Sequence, residues 1–167
     1  MHSPLRLLGV AALSGAAATV AFDLFGQSLS PMFGFAKLSP VPLADGVIRT
    51  VAGAGWAPGA EFLHYAAGVL GYPLGWLLIA EPLSRRLTPG LPWSAAAALY
   101  GVALWIFALY GMAHLVAGMP PFLGFGGITW VALVGHVVFA LVAAGVARRL
   151  LGRSPAPAAA SGAPAYA

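Results

Sequence analysis

Four long apolar runs, separated by stretches rich in glycine, proline and charge, frame this sequence. They cover about residues 7–27, 61–80, 94–117 and 128–150. Each is near the length of roughly 20 apolar residues that a helix needs to cross about 30 Å of hydrocarbon. The first run is longer than the core of a usual secretory signal, so it is expected to be retained as a span. Pro73 inside the second run predicts a kink and a freed carbonyl, and Gly71 and Gly75 form a small-residue pair that favours close helix approach. In the third run Tyr100, Phe107, Tyr110 and His114 fall near one helical face. The pattern therefore predicts an all-α, polytopic membrane four-helix bundle occupying residues 1–151 as one domain, followed by a disordered tail at 152–167.

The connection 28–60 is the long one. It holds Pro31, Pro40, Pro42 and Pro58 among several glycines, yet also Met32, Phe33, Phe35, Leu38, Val47, Ile48 and Trp56. So apolar a segment is expected to pack at the membrane interface or fold over the bundle as a cap. Residues Leu43–Val51 read as a short helix with Pro42 at its first turn.

Composition agrees. Of 167 residues 60% are hydrophobic and 7% are charged, against about a quarter charged in a soluble domain. The net charge of +4 does not imply nucleic-acid binding, because the basic residues sit at helix ends without forming a patch. Arg6, Arg85, Arg86, Arg148, Arg149 and Arg153 fall on one side of the predicted topology; Lys37 and Arg49 fall on the other. The positive-inside rule then places both termini inside and the 28–60 loop outside, as in a bacterial cytoplasmic (inner) membrane. Cysteine is absent, which excludes disulfides, thiolate metal sites and cysteine nucleophiles.

Asp23 is the carboxylate inside a strongly apolar run, and such a group costs roughly 2.5–3.5 kcal/mol at the centre of a spanning helix. Gly15, Thr19, Asp23 and Gln27 recur every four residues and so form one stripe. With about 1.5 Å rise per residue, Asp23, His64, His114 and His136 all fall within about 5–12 Å of the outer boundary, one from each helix. Glu61 joins them as Glu-x-x-His with His64.

Three chemistries suit such a layer. Asp23, Glu61, His64, His114 and His136 are candidate ligands for a transition metal. His64, His114 and His136 are candidate axial ligands for haem, flanked by Tyr65, Tyr110, Phe107 and Phe139. A chain of Asp and His is also a proton relay. The structural alternative is that each group meets interfacial water or a local bond, with Asp23 bonding Gln27 or Thr19. The soluble-enzyme signatures are missing: there is no phosphate-cradling glycine loop, nucleophile elbow or His-Glu-x-x-His.

Ala21-Phe22-Asp23-Leu24-Phe25, His64-Tyr65-Ala66-Ala67-Gly68, Leu99-Tyr100-Gly101 and Gly135-His136 together resemble small four-helix bacterial inner-membrane proteins of the YagU-like sort, over residues 7–150. The resemblance implies the topology and carries no mechanism. The expectation is a small integral membrane protein with a metal, haem or proton site in the outer half of its bundle. The contrasting expectations are an assembly partner of another membrane protein and a proton-coupled transporter acting as a homo-oligomer.

Overall fold

The computed structural model describes residues 3–152, and among these it contains helices and turns but no strand. Five helices carry the fold. Four are long and apolar enough to cross a membrane: α1 Pro4–Met32, α3 Ala57–Leu87, α4 Trp93–Val116 and α5 Gly127–Leu150. The fifth, α2, is the amphipathic Pro40–Ala52 inside the long connection. The chain is thus a helical membrane protein in its broad class. Leu13, Val20, Leu78, Ile79 and Leu99 are exposed on its sides, a distribution that a lipid solvent explains and water does not.

Local chemistry sets the helix ends. The Ser3 hydroxyl accepts from the Arg6 N–H and Pro4 occupies the first turn, which together start α1. Gly53 ends α2 with φ of +78°, donating its N–H to the Arg49 carbonyl. Helices α1 and α3 contain three wide turns, at Phe25–Leu29, Ala67–Gly71 and Trp76–Ala80. Each stands just before a proline: Pro31, Pro73 and Pro82. A proline ring crowds the carbonyl four residues back and cannot donate to it, and a widened turn relieves that clash. The irregularity expected at Pro73 is therefore met by a bulge that keeps the helix continuous.

The second spanning helix runs past the expected 61–80, through to Leu87. Glu81, just past the expected end of the run, lies inside it and is buried at 2% exposure. Its Oε1 accepts from Arg85 Nη2 at 2.9 Å and Arg148 Nη1 at 3.2 Å, and the Arg148 guanidinium lies 5.4 Å from the Trp93 ring centre. Neutralised this way, the carboxylate can leave water and the helix need not stop.

Helix α5 packs against both α1 and α4. Small residues let the backbones meet. A side chain at Gly101 would strike the α5 backbone at His136, and one at Gly15 would strike the Val69 carbonyl of α3. Val69 O is also the acceptor that Pro73 would have used in an unbroken α-helix, so Gly15 nests where α3 is distorted. Gly71 and Gly75 do not act as the expected joint pair. Gly75 faces the Tyr100 hydroxyl, and Gly71 meets no neighbouring helix.

The bundle has two distinct ends. Arg6 donates to the Leu150 carbonyl at 3.4 Å, so the first and last described turns share an end, together with the Glu81 cluster. The other end carries α2, which contacts both α3 and α4 and forms a cap over them. The fourth connection folds under the same cap as a tight turn, Pro121–Phe125. Phe122, Leu123 and Phe125 have positive φ there, held by the Thr129 hydroxyl donating to the Phe122 carbonyl and by the Phe122 ring 4.6 Å from that of Trp105. The expected tail lies, beyond Gly152, outside the described residues.

Candidate functional site

The α1 stripe faces α3, because Gly15 and Gly68 remove the side chains that would hold the two helices apart. Gly68 sits directly under the Thr19 hydroxyl. One turn nearer the cap, this close approach brings Asp23 to His64. The His64 Nε2–H donates to the Asp23 carboxylate, at 3.3 Å from Oδ1 and 3.4 Å from Oδ2. Gln27 Nε2 donates to the same Oδ1 at 2.9 Å, one turn along the stripe. The carboxylate thus has a partner on its own helix and one on the neighbour. Both members of the pair are largely sheltered, with side-chain exposures of 13% for His64 and 22% for Asp23.

Phe22, the residue before Asp23, turns into the bundle. Its ring lies 6.5 Å from the His64 ring and 5.2 Å, edge-on, from that of His136. His136 is buried on α5, and its Nδ1–H donates to the Ala132 carbonyl at 2.7 Å. A carbonyl only accepts, so that bond fixes the proton on Nδ1 and leaves Nε2 as the uncommitted nitrogen.

The remaining expected ligands stand elsewhere. His114 Nδ1–H donates to the Met119 carbonyl at 2.7 Å, and its ring packs 5.2 Å from Tyr110. It ties the end of α4 to the following turn. Glu61 is exposed near the start of α3. Among the described residues no three His, Asp or Glu side chains converge as a metal-ligating group. The five-residue metal set is therefore not assembled, since one member is spent on a turn and another faces outward. The expected layer contracts to Asp23, His64 and His136.

His64 and His136 border a cavity of about 580 Å³ in the cap-end half of the bundle. All four spanning helices and α2 contribute to its wall, and the wall is mostly apolar. Among the described residues, His64 and His136 are its imidazoles, and no Lys, Arg, Asp or Glu lines it. Leu63, Gly71 and Phe107 line the cavity and are also exposed on the outside. The cavity therefore reaches the bundle surface between α3 and α4. Those helices pack together at the opposite end, through 76–87 and 93–106, while α2 bridges them at this one. The wide turns at Ala67–Gly71 and Phe107–Val116 flank the gap.

A second, shallower recess of about 490 Å³ lies on the outer side of the α1–α3 seam, lined by Asp23, Gln27, Ser28 and Tyr65 among others. Thr19 borders both spaces. Its hydroxyl is buried without a hydrogen-bond partner among the described residues. The His64–Asp23 pair consequently stands in the wall between an apolar interior and a more polar exterior groove.

Sequence reasoning singled out Asp23, His64 and His136 but missed the cavity. Thr19 was visible only as a member of the stripe, and Phe22 and Tyr72 gave no signal beyond aromatic packing. Compared with known proteins, the chain matches no family model, no curated relative and no solved structure.

Proposed function

We propose that this is a small integral membrane protein that takes an apolar small molecule from the bilayer into its bundle, with the His64–Asp23 pair as a proton-handling group beside it. The single observation that supports this is the cavity. Its volume falls in the range of roughly 300–1,000 Å³ typical of small-molecule sites, its walls are mostly apolar, and its polar groups are few and local. The exposed rim at Leu63, Gly71 and Phe107 gives lipid-soluble molecules a lateral entrance.

Arg6, Arg85, Arg148 and Arg149 belong to the end that carries the chain's first and last described turns, whereas Lys37 and Arg49 belong to the cap end. By the positive-inside rule the cap end and the cavity then face outward and both termini face the cytoplasm, in keeping with the resemblance to bacterial inner-membrane proteins. Haem held between His64 and His136 is disfavoured, because the His64 Nε2 is engaged by Asp23 and only Nδ1 remains for iron.

The test uses full-length protein in lipid nanodiscs titrated with Nile red, corrected for partition into empty discs. One saturable site per chain is expected. Gly71→Phe and Met112→Trp fill the cavity from opposite walls, and each is expected to weaken binding at least about tenfold, the factor that roughly 1.4 kcal/mol represents. Leu13→Phe, on the exposed face of α1, should leave binding unchanged. Equal, non-saturating dye uptake by all four proteins would refute the proposal.

A further inference from the structure

The polar groups of the cavity have a definite hydrogen-bonding sense. His136 has committed its N–H to the Ala132 carbonyl, so the neutral ring offers Nε2 as an acceptor alone. An isolated imidazolium in this position would have no carboxylate beside it, and a lone buried charge is expensive. The neutral His64 ring, with its Nε2–H turned to Asp23, likewise offers Nδ1 as an acceptor. Tyr72 and Ser39 also line the space, and a hydroxyl can both donate and accept.

Thr19 borders the same space, but its hydroxyl is packed against Gly68 in the α1–α3 seam and is closed off from the cavity.

We infer that the molecule held here carries a hydroxyl, an apolar alcohol or phenol whose single O–H donates to His136 Nε2, with His64 Nδ1 as a second acceptor bordering the same space. A carbonyl headgroup accepts only, and would meet neither imidazole lone pair, whereas a hydroxyl meets one. An anionic headgroup finds no cation on the wall, and Asp23 stands just behind it. An ammonium would need a carboxylate facing it, whereas Asp23 lines the outer groove and is already bonded to His64 and Gln27. Phenols suit the site further. A phenol proton accepted by His64 Nδ1 gives an imidazolium whose positive charge is balanced by Asp23, and the same proton returns to the phenolate oxygen without any other reactant. This inference rests on the proposed binding function and specifies its ligand class.

The experiment compares para-nonylphenol, its O-methyl ether and nonylamine as competitors of Nile red in the same nanodiscs. The phenol is expected to bind about tenfold more tightly than the ether, the effect of roughly one neutral hydrogen bond. That ratio should fall towards one in His136→Leu and in His136→Phe, which keeps a ring in the same space, and stay unchanged in Thr19→Val, whose hydroxyl is packed against Gly68. Equal binding of phenol and ether by the wild-type protein would overturn the donor inference while leaving the cavity reading intact. A ratio unchanged in both His136 variants would overturn it, as would tighter binding of the amine. Failure of Nile red itself to bind would remove the cavity reading first.

Discussion

Replacing Glu81 by Leu is expected to be among the most damaging single changes in the molecule. Its carboxylate is 3% exposed and accepts from two arginines of different burial. Arg85 is 55% exposed, so its i,i+4 bond contributes no more than about 0.5 kcal/mol. Arg148 is different, at 10% exposure and packed under the Trp93 ring. Removing Glu81 strands that guanidinium, and an uncompensated buried charge costs about 3–5 kcal/mol. The cost is relieved when both partners go, because a buried pair replaced by apolar groups of similar volume is close to neutral. Glu81→Leu with Arg148→Met should therefore be more stable than Glu81→Leu alone by about 2–3 kcal/mol, less the loss of roughly 1 kcal/mol of cation–π contact with Trp93. Denaturant titration in lipid–detergent micelles, followed by tryptophan fluorescence, measures all four corners of the cycle. A Glu81→Leu protein within about 0.5 kcal/mol of wild type would show that water reaches Arg148 and that the cluster is not buried. A double variant no better than the single would refute the stranded-charge account.

Other expectations follow from the geometry. Gly15→Leu should destabilise by more than about 2 kcal/mol in the same titration, since the new side chain meets the rigid Val69 carbonyl. It should also abolish a cross-link between cysteines introduced at 23 and 64, whereas a retained cross-link would show that α1 and α3 tolerate separation. His114→Ala is expected to cost about 1 kcal/mol through its lost bond to the Met119 carbonyl and to leave Nile red binding unchanged. A lost dye site in that variant would return His114 to the functional layer. Reporter fusions at the two termini should report the same compartment, and opposite compartments would contradict the shared end that the Arg6–Leu150 bond defines.

Much of the architecture is written in runs of residue type. Continuous apolar stretches of spanning length, interrupted by proline, glycine and arginine, are enough to specify helices that must satisfy their backbone bonds internally in lipid. The apolar content of the 28–60 connection likewise announces a packed segment, and α2 is the result. Even the meeting of Asp23 with a histidine is legible, because an intramembrane carboxylate needs a partner and few titratable side chains are at hand.

What the one-dimensional pattern leaves open is direction around each helix axis. His64 and His114 look alike as residues one turn from a helix end, yet one turns to Asp23 and the cavity and the other to its own turn. Glu81 reads as the start of a polar loop until Arg148, 67 positions away, is brought beside it. The cavity is a property of packing alone: α3 and α4 join at one end and are bridged by α2 at the other, and the space follows from helices diverging over several turns. Sequence determined how far each segment travels through the membrane and which groups could not face lipid. Only the tertiary structure decided which of those groups share a wall, because rotations of a few tens of degrees about a helix axis cost the local chain nothing and are chosen by neighbours distant in sequence.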